Sequence, residues 1–202
     1  MKRRTAWILI SLCVLIWGAA AGESAPDPVL EQLSGLEWSF SSGVGAWSTE
    51  LRIRPDGTFT GEYHDSDMGE SGETFPEGTV YSCTFHGRFV PADQADGFPR
   101  RIRVDSLEPD ENQPDGIVRD GIRFVLSVPY GLSAGDEMLV YQPGTAVSAI
   151  PEELRFWTHL QDGENPAEAL DSWFLCSEQN GSGFIGYAVP EEADPALPDE
   201  KP

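Results

Sequence analysis

The residues best suited to chemistry sit in one acidic stretch. Asp65, Asp67, Glu70, Glu73 and Glu77 follow one another closely, with Gly69 and Gly72 between them and Gly78 directly after. A hard cation such as Ca²⁺ takes several oxygens from one flexible loop, so Asp65, Asp67, Glu70 and Glu73 are candidate metal ligands and Ca²⁺ is the one candidate cofactor. No complete EF-hand spacing follows, and a solvated acidic loop is the plain alternative. His64 and His86 fall on the polar faces of neighbouring strand candidates. With Asp65 they could form a zinc or acid–base cluster; otherwise they are exposed strand histidines. His159 lies at the end of a short helical segment, where a cation is favoured by the dipole. The sequence carries no nucleophile elbow, metal-spaced histidine pair or phosphate loop, so no catalytic residue is assigned. An enzyme reading rests on a hydrolase using paired carboxylates alone.

Aromatic residues offer a second kind of chemistry. Large rigid faces can stack on sugar rings or line an apolar pocket. Trp47, Tyr63, Tyr81 and Phe85 are the candidate ligand-binding residues, with plain core packing as the alternative.

Strands must position these groups. The stretch WSTELRIRPDGTFTGEYH reads as a hairpin. A three-residue loop Pro55-Asp56-Gly57 pairs Ile53 with Phe59, Leu51 with Gly61 and Thr49 with Tyr63. Glu50, Arg52 and Arg54 then share the other face with Thr58, Thr60, Glu62 and His64. Val80 to Val90 alternates and points Cys83 inward, and further strand signals fall at Arg101 to Leu107, Gly121 to Val128, Met138 to Tyr141, Trp173 to Cys176 and Phe184 to Val189. With a first strand around Trp38 these make about nine. Helix is limited to Pro151 to Leu160 and a turn capped by Asn165, both read as covers for the sheet. Glu108 to Asp120 reads as a mobile acidic loop.

Residues 1–21 have the anatomy of a secretory signal peptide: Lys2, Arg3 and Arg4, an apolar run from Ala6 to Trp17, then small residues up to Ala21. Residues 22–34 read as an N-terminal linker, 35–190 as the β domain and 191–202 as a disordered acidic, Pro-rich tail. The chain has 202 residues and a formal net charge of −21, which loss of the signal makes three units more negative. Such a field repels nucleic acid and anionic lipid, so neither is an expected partner, and the mature form has no membrane segment. A secreted, extracellular monomer is expected. Export places Cys83 and Cys176 in an oxidising compartment, where they are expected to pair as a disulfide, with two buried thiols as the alternative.

Two resemblances follow from these residues. GAWSTELRIRPDGTFTGEYHDSDMG, with the later DGIRFVLSVPYGL and VYQPG, resembles a family of uncharacterised proteins exported by Gram-positive gut bacteria, which implies location and not chemistry. LSGLEWSF followed by DGTFTGEY is similar to the opening of calycin barrels, the lipocalin and avidin group. Gly35 and Trp38 stand one residue further apart than that group's motif, and its basic residue near the last strand has no counterpart. The expected fold is therefore mainly β: a single-domain antiparallel barrel, calycin-like, or a sandwich of about nine strands with one or two short helices. The expected function is non-enzymatic binding of a small apolar or sugar ligand in the barrel. A surface or interaction protein and a carboxylate-dependent hydrolase stand as alternatives.

Overall fold

The computed structural model describes residues 27–160 and 166–189. The signal peptide, the tail and the cap at Asn165 fall outside them. Ten strands form one sheet: β1 (Leu36–Ser41), β2 (Trp47–Ile53), β3 (Thr58–Asp67), β4 (Thr79–Pro91), β5 (Arg100–Pro109), β6 (Ile117–Arg119), β7 (Ile122–Leu126), β8 (Glu137–Tyr141), β9 (Trp173–Ser177) and β10 (Ser182–Ala188). The order β3-β2-β1-β10-β9-β8-β5-β4, with β4 paired back to β3, closes an eight-stranded antiparallel barrel. The sandwich alternative is excluded. β6 and β7 form an extra hairpin, which joins the wall through a parallel pairing of β7 with the start of β4.

The hairpin follows the register read from the sequence. Ile53 faces Phe59, Leu51 faces Gly61 and Thr49 faces Tyr63. Arg54 N–H donates to Thr58 O at 2.7 Å, and Gly57 takes φ +82°, the left-handed residue that ends the loop. β4 then lays Phe85 opposite Gly61 and Gly87 opposite Phe59. These glycines carry the rings: a Cβ at Gly61 would fall 2.5 Å from the Phe85 ring, and one at Gly87 would fall 2.4 Å from the Phe59 ring.

An eight-stranded barrel is just wide enough for side chains to fill. Trp38, Phe40, Phe59, Phe85, Phe89 and Phe184 are fully buried inside it, with Leu51, Ile102, Val104, Met138, Val140 and Leu175 around them. One end is closed by α1 (Pro28–Leu33), a helix where the sequence reads as linker. Asp27 caps it by accepting from Val29 N–H at 2.9 Å, and Val29, Leu30 and Leu33 are buried in the core. Trp38 Nε1–H donates to Leu33 O at 3.3 Å, fixing the helix across the opening. Six residues of helix are marginal alone, so burial of this apolar face holds them.

A smaller apolar cluster covers the outer wall. Leu139, Tyr141, Phe174 and Cys176 point outward from β8 and β9 against Ile150, Leu154 and Leu170. The segment expected as helix from Pro151 is a 3-10 helix over Glu152–Thr158, ended by His159 at φ +56°. Residues 166–170 form no helical turn, and Ala169 bridges to Ala146 instead. The acidic stretch read as mobile contains β6, an element the sequence reading lacks.

The expected disulfide is corrected by these faces. Cys83 and Cys176 are free and buried, Cys83 inside the barrel and Cys176 in the outer cluster, so the wall itself separates them. Burial pushes the Cys83 thiol up to about 11 and the Cys176 thiol further still, which leaves both inert as nucleophiles. Without reductant, iodoacetamide should label neither thiol in the native protein and both after denaturation in urea, as read by peptide mass spectrometry; a disulfide-linked peptide would contradict the topology.

Candidate functional site

The acidic candidates are held apart by local bonding. Asp67 Oδ1 accepts from the N–H groups of Gly69 and Glu70 at 2.8 and 3.1 Å, so it caps the turn that follows β3. Glu70 accepts from the Tyr81 hydroxyl and from Arg123 Nη2, and the Arg123 guanidinium lies 4.4 Å from the centre of the Phe75 ring. Asp65 faces Trp47 and Tyr81 in the strand register, and Glu73 is exposed on the loop. Among the described residues, no group of three or more His, Cys, Asp or Glu side chains is arranged to hold a metal ion. The loop is instead clamped onto β4 and β7 by Tyr81 and Arg123.

The histidines do not meet. His64 faces Ser82, whereas His86 faces Thr60 further down the same strand pair. His64 Nδ1 contacts Ser48 Oγ at 3.3 Å, and His86 Nδ1 contacts Asp110 Oδ1 at 2.7 Å. The hydrogen bond from His86 holds the Asp110 carboxyl below the usual carboxylate range. On the same outer wall runs a groove of about 580 Å³, with Glu37, Glu50, Glu62, Thr84 and Asp110 in its lining. Glu50 and Glu62 are direct cross-strand partners there. Arg52 also lines it but is bonded to Glu37.

The aromatic candidates divide into two groups. Phe85 belongs to the core under Gly61, and Tyr81 is engaged with Glu70. Trp47 and Tyr63 are half-buried at the end of the barrel opposite α1. Trp47 belongs to a ring array, centred on the buried Phe40, that the sequence reading misses. Its ring lies 5.0 Å from Tyr130 at 90°, 4.9 Å from Phe40 and 6.1 Å from Trp157. Trp157 lies 4.7 Å from Phe40 and 5.2 Å from Phe156. Tyr130 stacks on Phe40 at 5.5 Å.

Three separate elements bring these rings together. β1 and β2 supply Phe40 and Trp47. The 3-10 helix Glu152–Thr158 supplies Phe156 and Trp157, anchored by Trp157 Nε1–H donating to Gly181 O at 2.8 Å. Tyr130 comes from the strap of residues 127–136 that joins β7 to β8, and its carbonyl accepts from Thr49 Oγ1 at 2.8 Å. Phe40 is buried beneath, but Tyr130 is 51% exposed and Phe156 62%, with Val44 at 88% in the β1–β2 loop. No alternation or heptad marks the strap, so the only signal for Tyr130 was its ring.

The Glu70 clamp gives a test of how the acidic loop is held. Its hydrogen bond from Tyr81, aided by Arg123, lowers the folded pKa of Glu70 below the ordinary 4.5. A depressed carboxylate stabilises the fold above its unfolded pKa, and that contribution is lost as pH falls through the folded value. Urea unfolding of wild type and Glu70→Gln should therefore differ at pH 6 and converge as pH falls through 4.5 and below; a constant gap would contradict the clamp. No protein-family model, no curated protein and no solved structure matches this chain.

Proposed function

We propose that this is an exported, non-enzymatic binding protein that takes a small apolar or sugar ligand at the aromatic mouth of its barrel. The observation that carries the reading is the exposure of Tyr130 and Phe156 at the two ends of a continuous row of ring contacts through Trp157, Phe40 and Trp47. Leaving about half of each ring in water forgoes part of the roughly 1.5–3 kcal/mol that full burial of a large apolar side chain supplies. Exposed apolar patches of this kind mark ligand or partner sites. The filled interior supports the mouth over the barrel centre, because a ligand at the centre would have to displace buried phenylalanines.

The charge narrows the ligand. A net charge of −21 opposes anionic fatty acids or bile acids and leaves neutral apolar faces, including the C–H faces of sugar rings, as the fitting chemistry. The exposed rings of Tyr130 and Phe156 offer such a face apolar contact, and Trp47 beside Tyr130 reports on its occupancy.

The test is a fluorescence titration with N-phenyl-1-naphthylamine, a neutral apolar probe, and with neutral oligosaccharides. Wild type should bind one of these, and Tyr130→Ala and Phe156→Ala should each weaken it about tenfold with little change in melting temperature, as expected for exposed anchor residues. Binding that survives both substitutions would overturn the mouth reading. Absence of any small-molecule binding would favour a protein surface as the occupant.

A further inference from the structure

The strap of residues 127–136 touches nearly every side of the barrel mouth. Ser127 N–H donates to Ser82 O of β4 at 3.1 Å, Thr49 of β2 holds the Tyr130 carbonyl, and Gly131 presses against Phe40 of β1 and Ser182 of β10. A segment with these contacts that then enters β8 must cross the opening. Gly131 has φ +83°, and a Cβ there would fall 2.5 Å from the Phe40 ring, so the crossing is as close as a backbone can come. Leu132 is its one fully buried side chain; Val128 is 75% exposed.

Polar bonds at the rim hold it down, and they converge on Asn180 in the β9–β10 turn. Asn180 Nδ2 donates to Gly131 O at 3.2 Å and to Asp136 Oδ2 at 2.6 Å. Its Oδ1 accepts from Ser182 N–H at 3.1 Å and Ser182 Oγ at 2.7 Å. Asp136 Oδ2 in turn accepts from Ser133 N–H at 2.7 Å. One amide thus fastens two points of the strap to a rigid turn. Ser177, paired with Ser182 and on the inward face shared with Leu175, is fully buried, and its hydroxyl has no hydrogen-bond partner among the described residues. A buried hydroxyl left unmatched calls for a polar atom from elsewhere.

We propose that residues 127–136 are a lid on the barrel mouth, latched by Asn180, whose opening exposes the inner wall at Ser177 to the polar end of a bound ligand. The ligand part of this rests on the mouth reading above; the latch does not. Segments with few buried apolar contacts and rim hydrogen bonds open at low free energy, which suits a lid.

Asn180→Asp isolates the latch. It keeps the oxygen that caps Ser182 but loses both donors and sets a carboxylate against Asp136. Hydrogen exchange should quicken roughly tenfold at amides 128 and 130–136 while β1 to β4 keep their rates. Adding Asp136→Asn, which supplies a donor in return, should bring the strap most of the way back. Unchanged strap exchange in Asn180→Asp, or equal acceleration throughout the barrel, overturns the latch. A second arm uses Asp136→Cys with Asn180→Cys, at the pair whose side chains already touch. Oxidised, this variant should bind N-phenyl-1-naphthylamine about tenfold more weakly than when reduced, because the exposed rings of Tyr130 and Phe156 stay available while Ser177 stays covered. Equal binding in both states overturns the lid but not the mouth. Failure of wild type itself to bind the probe removes the mouth reading, and the lid is then decided by the exchange data.

Discussion

Two cross-strand pairs, Phe85 over Gly61 and Phe59 over Gly87, set the character of the molecule. In each, the missing side chain on one strand gives the ring on the other a place to lie flat across the interior. Phe89 adds a third ring 4.6 Å from Phe59. The barrel is consequently solid where an eight-stranded barrel could otherwise hold a ligand. Neither glycine accepts a methyl group without moving a ring or a carbonyl, so the filling and the strand pairing depend on each other.

A solid centre moves everything interesting to the ends and the outer wall. Below, α1 and Trp38 close the opening with apolar contact, an indole hydrogen bond and an ion pair of Arg100 with the helix cap Asp27 at 3.7 Å. Above, closure is of a different kind: aromatic rings half in water, and a strap fastened by polar groups at its edges. That contrast, a buried helix against half-exposed rings and a strap latched at the rim, is the physical reason the proposed site is assigned to the mouth rather than to the plugged end. The acidic residues singled out as metal or acid–base candidates take part in neither. Asp67 and Glu70 spend their oxygens on a turn and on the Tyr81–Arg123 clamp, and His86 and Asp110 pair on the wall.

Much of this was legible from residue types. Alternation in Val80–Val90 and the Pro-Asp-Gly loop determine register because a one-residue slip would turn every apolar side chain outward. All nine strand signals correspond to strands. β6 escaped because Ile117, Val118 and Arg119 are all exposed, so no alternation marks them. α1 escaped because six residues after a proline carry little periodicity, and only its burial makes it a helix. The cysteines show the limit of pattern reading most clearly: alternation in β9 separates Leu175 from Cys176 but does not say which faces the barrel. The mouth was half visible. Trp47 and Tyr63 were readable as aromatic candidates, whereas Tyr130, Phe156 and Trp157 join them only through tertiary contact.

The central claim is that the barrel interior is closed and the mouth is where a ligand sits. Nitrogen–proton NMR of the indole groups tests it directly, since Trp38 donates to Leu33 O deep at the plugged end and Trp47 stands in the mouth. On titration with whichever neutral ligand binds, the Trp47 signal should shift and the Trp38 signal should stay in place. A shift at Trp38 with Trp47 unchanged would contradict the account and put the site inside the barrel.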